Sequence, residues 1–254
     1  MDLFEYMSMQ RKKEESPLAV RMRPKNLDEV VGQQHIIGKD KLLYRAIKAD
    51  KISSLIFYGP PGTGKTTLAK VIANTTSADF VQMNATTSGK KDMEQAVSQA
   101  KDAFGMYGKK TILFIDEIHR FNKAQQDYLL PFVEDGTVIL IGATTENPYF
   151  EVNSALLSRS QIFHLEPLSQ KDICKLVKTA VEDNERGMGA YGAEITEEAA
   201  QFIAQMAGGD ARSALNAIEL GILTTPRGED GKIHITLPVA SECIQKKTVR
   251  YDKG

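Results

Sequence analysis

Short, almost wholly apolar segments alternate with longer segments of mixed polarity between residues 54 and 165. The apolar segments predict five strands, at residues 54–59, 80–85, 111–116, 138–145 and 161–165. The mixed segments predict helices at residues 65–74, 92–104 and 123–132. Apolar strands that alternate with helices are typical of a parallel sheet covered on both faces. The pattern therefore predicts an α/β fold with a parallel five-stranded sheet flanked by helices.

The pattern of apolar and polar residues changes after Pro167, where few segments are typical of strands. Three helices are predicted, at residues 172–184, 196–206 and 211–223, with Ser169 and Thr196 as candidate caps. We place a domain boundary near residues 165–169. The predicted parts are a flexible N-terminal arm at 1–16, an α/β domain at 17–167 and a small helical domain at 168–254.

Composition and charge narrow the class of protein. The chain has 254 residues, with 32 Lys+Arg against 33 Asp+Glu and a formal net charge of −1. This balance excludes a protein that coats nucleic acid by charge alone, and leaves a local basic surface open. Two cysteines are too few for a disulfide scaffold. The N-terminus lacks a signal-peptide core, and no run reaches the roughly 18 apolar residues that span a membrane. We therefore expect a reduced cytoplasmic protein.

A glycine-rich loop joins the first predicted strand to the helix that follows it. Residues 59–66 read GPPGTGKT and match G-x-x-x-x-G-K-[ST]. Glycines let backbone N–H groups turn toward phosphates, and the helix N-terminus adds a favourable dipole. Lys65 is expected to reach the β- and γ-phosphates of ATP, and the Thr66 hydroxyl to bind Mg²⁺. The predicted nucleotide-binding residues of this loop are Gly59, Pro60, Pro61, Gly62, Thr63, Gly64, Lys65, Thr66 and Thr67. The alternative is a glycine-rich turn that only begins a helix.

A pair of carboxylates ends another predicted strand, ILFIDE. Asp116 is the expected residue near Mg²⁺, and Glu117 is positioned to orient or deprotonate an attacking water. The alternative is a solvated cap at a strand end. Residues 116–119 also spell a DExH-like box, which raises a helicase hypothesis. The helical part is too short for the second motor domain of such helicases, and His119 is expected to cap or pack locally.

The segments VILIGATTEN, ALLSRSQIFHL and GGDARSALNAIE, together with the glycine-rich loop, resemble those of AAA+ ATPases. The resemblance implies a P-loop AAA+ module followed by a small helical lid domain. Thr145 falls where this family keeps its first sensor, with Asn147 as the alternative. Such a side chain lies between Asp116 and the γ-phosphate and can hold the water. Without the family context, TTENP is equally well a strand-to-loop cap.

The resemblance also implies roles for two arginines. Arg159 stands where clamp-loader relatives keep the arginine finger that serves a neighbouring subunit, although Ser160 replaces their usual Cys. The alternative for Arg159 is a surface salt bridge. Arg212 falls in the first turn of a lid helix, where the family's second sensor contacts the γ-phosphate. An arginine at a helix start opposes the dipole, so a phosphate partner would explain its position.

Further segments narrow the resemblance. Val31 and Gly32 lie in a segment similar to the family's adenine pocket. The stretches PLAVRMRP, EVVGQQHIIG, IDEIHRFNKAQQDYLLPFVEDG and IGATTENPYFEVNSALLSR are very similar to those of the replication-associated recombination protein A family, whose eukaryotic counterpart is the Werner-helicase-interacting protein.

This resemblance implies a DNA-dependent ATPase acting at forks, gaps or single-strand/duplex junctions in the cytoplasm. It also implies single-stranded-DNA-binding protein as a partner, and a homo-oligomer, expected to be a tetramer. Members of that family continue into a C-terminal assembly region, so we expect this chain to be a fragment. Two alternatives share the motifs: a nucleotide-binding scaffold like some clamp-loader subunits, and a Holliday-junction branch-migration motor.

Overall fold

The structure is a computed structural model that describes residues 16–244. The predicted N-terminal arm at 1–16 therefore lies outside the described residues, apart from Ser16. Within 16–244, no helix is both long and apolar enough to cross a membrane.

The described residues form twelve helices and seven strands. The helices are α1 Leu18–Arg21, α2 Gln34–Ile37, α3 Leu42–Lys48, α4 Lys65–Thr75, α5 Lys90–Tyr107, α6 Lys123–Glu134, α7 Pro148–Glu151, α8 Ser154–Leu157, α9 Gln170–Glu182, α10 Glu197–Ala207, α11 Ala211–Thr224 and α12 Leu237–Cys243. The strands are β1 Ser54–Tyr58, β2 Asp79–Asn84, β3 Thr111–Asp116, β4 Val138–Thr144, β5 Ser160–His164, β6 Ala193–Ile195 and β7 Ile233–Ile235. Single 3₁₀ turns lie at Leu27–Glu29, Ile118–Arg120 and Gly189–Tyr191.

Strands β1 to β5 form one parallel sheet in the order β2-β3-β4-β1-β5, which confirms the predicted fold class. The register pairs Tyr58 with Thr144, and Ile115 with Gly142. The carboxyl ends of β1, β3 and β4 therefore meet at one edge of the sheet. Ligands of open α/β sheets bind at this edge, outside the carboxyl ends of the strands.

The central strands β1, β3 and β4 are apolar on both faces because each face of the sheet has its own core. Successive residues of one strand point to opposite faces. Side chains such as Phe57 and Phe114 pack on one face with Leu68 and Ile72 of α4. Ile56 and Leu113 pack on the other face with residues of α5 and α6. A strand covered on both sides has no polar face, which explains the unbroken apolar runs.

Helices α9 to α12 form a second unit with a separate core. Buried residues of this core include Ile173, Val177, Ile203 and Ile218. Both predicted caps are confirmed: Ser169 Oγ accepts from the amide of Asp172 at 3.1 Å, and Thr196 Oγ1 accepts from the amide of Ala199 at 3.2 Å. The short strands β6 and β7 pair in parallel in this unit.

The two units meet within the boundary predicted at residues 165–169, but the first described residues belong to the other unit. One unit spans residues 24–166, and the other joins the described residues up to Arg23 to those from Pro167 onward. The assignment of residues 17–23 to the α/β domain is therefore wrong. Leu18 is fully buried in the helical core, and its amide donates to Glu219 Oε1 at 2.9 Å. Local pattern cannot reveal a contact between residues so far apart in the chain.

Candidate active site

The glycine-rich loop leaves β1 and enters α4 at the carboxyl edge of the sheet. Gly59 has φ +144°, and a Cβ there would lie 2.2 Å from the carbonyl oxygen of Leu165. Gly64 has φ +99°, and a Cβ there would meet nothing within 4 Å. Gly59 therefore permits a close approach of two backbones, whereas Gly64 supplies a left-handed turn beside open space.

Helix α4 begins with amides that can receive an anion. Its N-cap is Gly64, so no side chain caps the first turn. The first amides of a helix have no acceptor within the helix, and the helix dipole favours negative charge at this end. Open space beside Gly64 and uncapped amides fit a phosphate, which is the ligand that such loops cradle.

Lys65 folds back over the loop that precedes it. Its side chain is buried, and Nζ donates to the carbonyl oxygens of Gly59 at 2.6 Å and Pro60 at 2.8 Å. Thr63 Oγ1 donates to the same Pro60 oxygen at 3.0 Å. The loop thus holds an ammonium group directly beside the start of α4.

The sheet edge brings a hydroxyl and a carboxylate together across 50 residues of sequence. Thr66 Oγ1 lies 3.4 Å from Asp116 Oδ2. Hard divalent cations prefer such oxygen donors. Within 16–244, no group of three or more His, Cys, Asp or Glu side chains could hold a metal. Two protein oxygens fit Mg²⁺, which usually keeps several waters and takes its other ligands from substrate phosphates.

Glu117 lies beside this pair in an unusual backbone conformation. Its φ is +53°, in the left-handed region, and it directly precedes the 3₁₀ turn. Thr145 Oγ1 donates to Glu117 Oε2 at 3.4 Å. Asn147, the alternative first sensor, instead accepts the Tyr149 amide at 3.1 Å and caps α7. Of the two candidates, Thr145 is the one with a hydroxyl at the Glu117 carboxylate.

Sequence reasoning missed the partner of His119. Thr144 is fully buried at the end of β4, and its Oγ1 lies 2.8 Å from His119 Nδ1. The same nitrogen lies 3.4 Å from Glu117 Oε2. The DExH-like spacing was the available signal, since it puts a histidine two residues beyond the glutamate.

A second missed residue, Gln33, ties the candidate adenine segment to the loop. Val31 and Gly32 are partly exposed, and Gly32 has φ +73°. The Gln33 side chain is buried and donates to the carbonyl oxygens of Thr63 at 3.2 Å and Glu166 at 2.8 Å. Its Oε1 accepts from the Glu166 amide at 3.1 Å. One side chain therefore connects this segment to the glycine-rich loop and to the residues after β5.

Gln33→Leu is expected to lower the free energy of unfolding by about 1–3 kcal/mol, because it leaves buried backbone groups without partners. Chemical denaturation monitored by circular dichroism measures this change. The matched control is Gln34→Leu at an exposed neighbour, expected within about 0.5 kcal/mol of wild type. Equal stability of the Gln33 and Gln34 variants would show that the Gln33 contacts contribute nothing.

Arg159 forms a surface salt bridge in the structure, which is the alternative to the role of an arginine finger. Its Nη2 lies 2.5 Å from Glu134 Oε1, and its Nη1 donates to the Ala155 carbonyl oxygen at 2.9 Å. The Arg159 side chain is 39% exposed and that of Glu134 is 49% exposed. Exposed ion pairs contribute little stability, so Arg159 can exchange this partner for another anion.

Arg212 lies where the sequence predicted, in the first turn of α11 in the helical unit. Asp210 is the N-cap and accepts the Ser213 amide at 3.1 Å. Arg212 itself is exposed to solvent.

Comparison with known proteins identifies the family. Residues 55–168 match the ATPase family associated with various cellular activities (AAA), and residues 189–254 match the AAA C-terminal domain. Replication-associated recombination protein A of Bacillus subtilis is 49% identical over 237 residues, which cover 93% of this chain and 55% of the relative. The Escherichia coli K12 protein of that name is 46% identical over 236 residues, covering 93% of this chain and 53% of the relative. The chain belongs to the replication-associated recombination protein A family.

Membership of this family confirms the resemblance seen in the motifs, and the AAA match makes residues 55–168 a nucleotide-binding domain. The ATPase WRNIP1 of Dictyostelium discoideum is 37% identical over 266 residues, covering 99% of this chain and 30% of the relative. The chain spans about half the length of the bacterial members it matches. Among solved structures, the Thermotoga maritima RuvB Holliday junction branch migration motor is similar, with TM-score 0.68 and 28% identity over 88% of this chain and 72% of RuvB.

Proposed function

We propose that this chain is the ATPase part of a DNA-dependent AAA+ motor that acts in replication-fork maintenance and recombinational repair. One observation carries the chemistry: Thr66 with Asp116, and Thr145 with Glu117, lie in contact at the edge of the sheet where α4 begins. The names of the bacterial relatives, which are nearly half identical to this chain, carry the biological setting.

The nucleotide is ATP, and its phosphates occupy the loop from Gly59 to Thr67. The first amides of α4 donate to phosphate oxygens, and Lys65 exchanges its loop carbonyls for them. This exchange replaces neutral acceptors by anionic ones, which bind an ammonium more strongly. Val31 and Gly32 contact the adenine through their backbone, and Gln33 holds that segment to the loop.

Thr66 and Asp116 are the residues that would hold Mg²⁺. When bound, the cation neutralises phosphate charge that would otherwise oppose the attack of water. Glu117 orients that water and accepts its proton, and its carboxylate is placed for this role by the Thr145 hydroxyl at 3.4 Å and the His119 imidazole at 3.4 Å. Thr145 helps to fix the water.

Two arginines complete the proposed reaction site. Arg212 contacts the γ-phosphate of the nucleotide bound to its own chain. Arg159 leaves Glu134 and contacts the nucleotide of a neighbouring copy, where its charge stabilises the transition state. The exposed state of both side chains supports these roles, since each can reach a ligand without breaking a core contact.

The proposed substrate for the motor is DNA at forks, gaps or single-strand/duplex junctions in the cytoplasm, with single-stranded-DNA-binding protein as a partner. A chain of net charge −1 gains little from non-specific attraction to phosphates. We infer that DNA binding depends on local basic patches multiplied by assembly into a homo-oligomer, which we expect to be a tetramer.

The steady-state ATPase rate is expected to rise when single-stranded, gapped or forked DNA is added. The concentration of DNA that gives half-maximal stimulation should increase steeply between about 50 and 200 mM salt, because counterions compete for phosphates. A Lys65→Ala preparation serves as the control for contaminating ATPases. If the chain binds ATP but does not hydrolyse it in the presence of single-stranded, gapped or forked DNA, the result would contradict the motor and favour the nucleotide-binding scaffold.

The similarity to RuvB supports a second candidate, a branch-migration motor. ATP-dependent movement of a synthetic four-way junction, without stimulation by gaps or forks, would favour it over the first. Stimulation by gaps and forks without junction movement would favour the fork-maintenance function.

A further inference from the structure

The imidazole of His119 lies between the Glu117 carboxylate and the end of β4. Its side chain is only 7% exposed, although it follows a strand at the sheet edge. Nδ1 lies 2.8 Å from Thr144 Oγ1 and 3.4 Å from Glu117 Oε2. A nearly buried histidine that faces a carboxylate has a directed contact, which local packing alone does not explain.

The two neighbours decide which ring nitrogen carries the proton. An ionised carboxylate can only accept hydrogen bonds, so an unprotonated Nδ1 would present a lone pair to Glu117 Oε2. A proton on Nδ1 instead makes the contact attractive, and Thr144 Oγ1 can accept from the same group. We therefore assign the proton to Nδ1, with Thr144 Oγ1 as its hydrogen-bond acceptor at 2.8 Å and the Glu117 carboxylate as an electrostatic neighbour at 3.4 Å.

Thr144 fixes the position of this donor. The residue is fully buried, and its Oγ1 also accepts the Glu146 amide at 3.0 Å. Strand β4 lies in the middle of the sheet and is buried along its whole length. The hydroxyl is therefore held by the buried end of β4, and it anchors the imidazole beside Glu117.

Glu117 needs such support because its backbone is strained. A left-handed conformation at a residue other than glycine persists only when its surroundings enforce it. Two successive threonines at the end of β4 reach the Glu117 carboxylate. Thr145 reaches it directly, and Thr144 reaches it through His119.

We propose that His119 is a positioning residue for Glu117, coupling its carboxylate to the end of β4 through Thr144. The inference rests on the proposed role of Glu117 in activating water. His119 forms and breaks no bond in the reaction, because Glu117 accepts the proton of the water. A carboxylate released from His119 turns away from the water, and misplacement of about 1 Å can cost a hundredfold in rate.

The test separates the turnover number kcat from the binding of ATP. His119→Ala is expected to lower kcat by about tenfold to a hundredfold, while KM and the Kd of a fluorescent ATP analogue change by less than about twofold. An asparagine amide can place a donor near the position of Nδ1, whereas a glutamine amide reaches the position of Nε2. His119→Asn should therefore regain most of kcat, and His119→Gln should resemble His119→Ala.

Several results would overturn the proposal. They are an unchanged kcat in His119→Ala, equal kcat values for the Asn and Gln variants, or a Kd that rises in parallel with the loss of kcat. Should His119→Ala fail to fold, the comparison of Asn with Gln decides. His234→Ala, at an exposed histidine of the helical unit, is the control for loss of an imidazole.

Glu117→Gln distinguishes failure of this proposal from failure of the proposed function. When His119 acts through Glu117, adding His119→Ala to Glu117→Gln causes no further loss of kcat. A wild-type chain that hydrolyses no ATP would remove the proposed function itself. Normal hydrolysis by the wild type, its loss in Glu117→Gln and an unaffected His119→Ala would remove only the role of His119.

Discussion

The Glu117→Gln variant is expected to bind ATP as tightly as the wild type and to hydrolyse it about a hundred to ten thousand times more slowly. The amide has nearly the shape of the carboxylate, so the contacts of Thr145 and His119 can be retained in part. It cannot accept the proton that the attacking water loses. Single-turnover hydrolysis and equilibrium binding of labelled ATP, measured on the same preparation, separate the two effects.

Glu94→Gln is the matched control for this change. Glu94 lies on α5, is exposed and forms a surface ion pair with Lys90. The same substitution there should leave both binding and hydrolysis unchanged. Hydrolysis by Glu117→Gln at the wild-type rate would remove Glu117 from its proposed role, and loss of ATP binding would show that the residue acts before the chemical step.

Arg159→Ala is expected to lower the ATPase rate of the assembled protein by about a thousandfold, within the range found when an arginine finger is removed. Within residues 16–244 the hydrogen bonds and ion pair of Arg159 are exposed, so the variant should fold normally. A finger that acts on a neighbour predicts that the wild-type rate per subunit rises with protein concentration. ATPase rates measured across a concentration series test this dependence.

Mixing two inactive variants tests whether the finger acts between subunits. Arg159→Ala keeps Glu117, and Glu117→Gln keeps Arg159, so an interface that combines them contains one complete site. Activity should therefore appear on mixing, although each variant alone is inactive. Arg45→Ala, at an exposed arginine of α3, controls for loss of charge. A rate independent of concentration and unaffected by Arg159→Ala would contradict a finger acting on a neighbour.

The strands and helices of the ATPase unit were predictable because each carries its own pattern. The apolar runs ending at Tyr58, Asp116 and Thr144 are buried strands in the structure. Ser169 and Thr196 cap their helices as predicted, since capping depends on residues three positions apart. Helix α1 was assigned to the wrong unit because Leu18 packs against residues about 200 positions away.

The residues of the candidate site likewise fall into those that the sequence reveals and those that only the structure reveals. The loop from Gly59 to Thr67 was recognisable because its chemistry depends on consecutive residues. Gln33 was not recognisable, since its role consists of hydrogen bonds to Thr63 and Glu166, which lie elsewhere in the chain. The contacts of Thr145 with Glu117 and of Asn147 with the Tyr149 amide were likewise not recognisable from the sequence.

The sequence by itself determined the five-stranded parallel sheet, the glycine-rich loop and the acidic pair at the end of a strand, because local periodicity and short-range spacing encode them. Only the tertiary structure decided that Thr66 meets Asp116, that Thr145 meets Glu117, and that His119 connects Glu117 to Thr144. These contacts follow from strand order and register, which bring distant segments to one edge of the sheet. Long-range pairing of this kind has no signature in any short stretch of the chain.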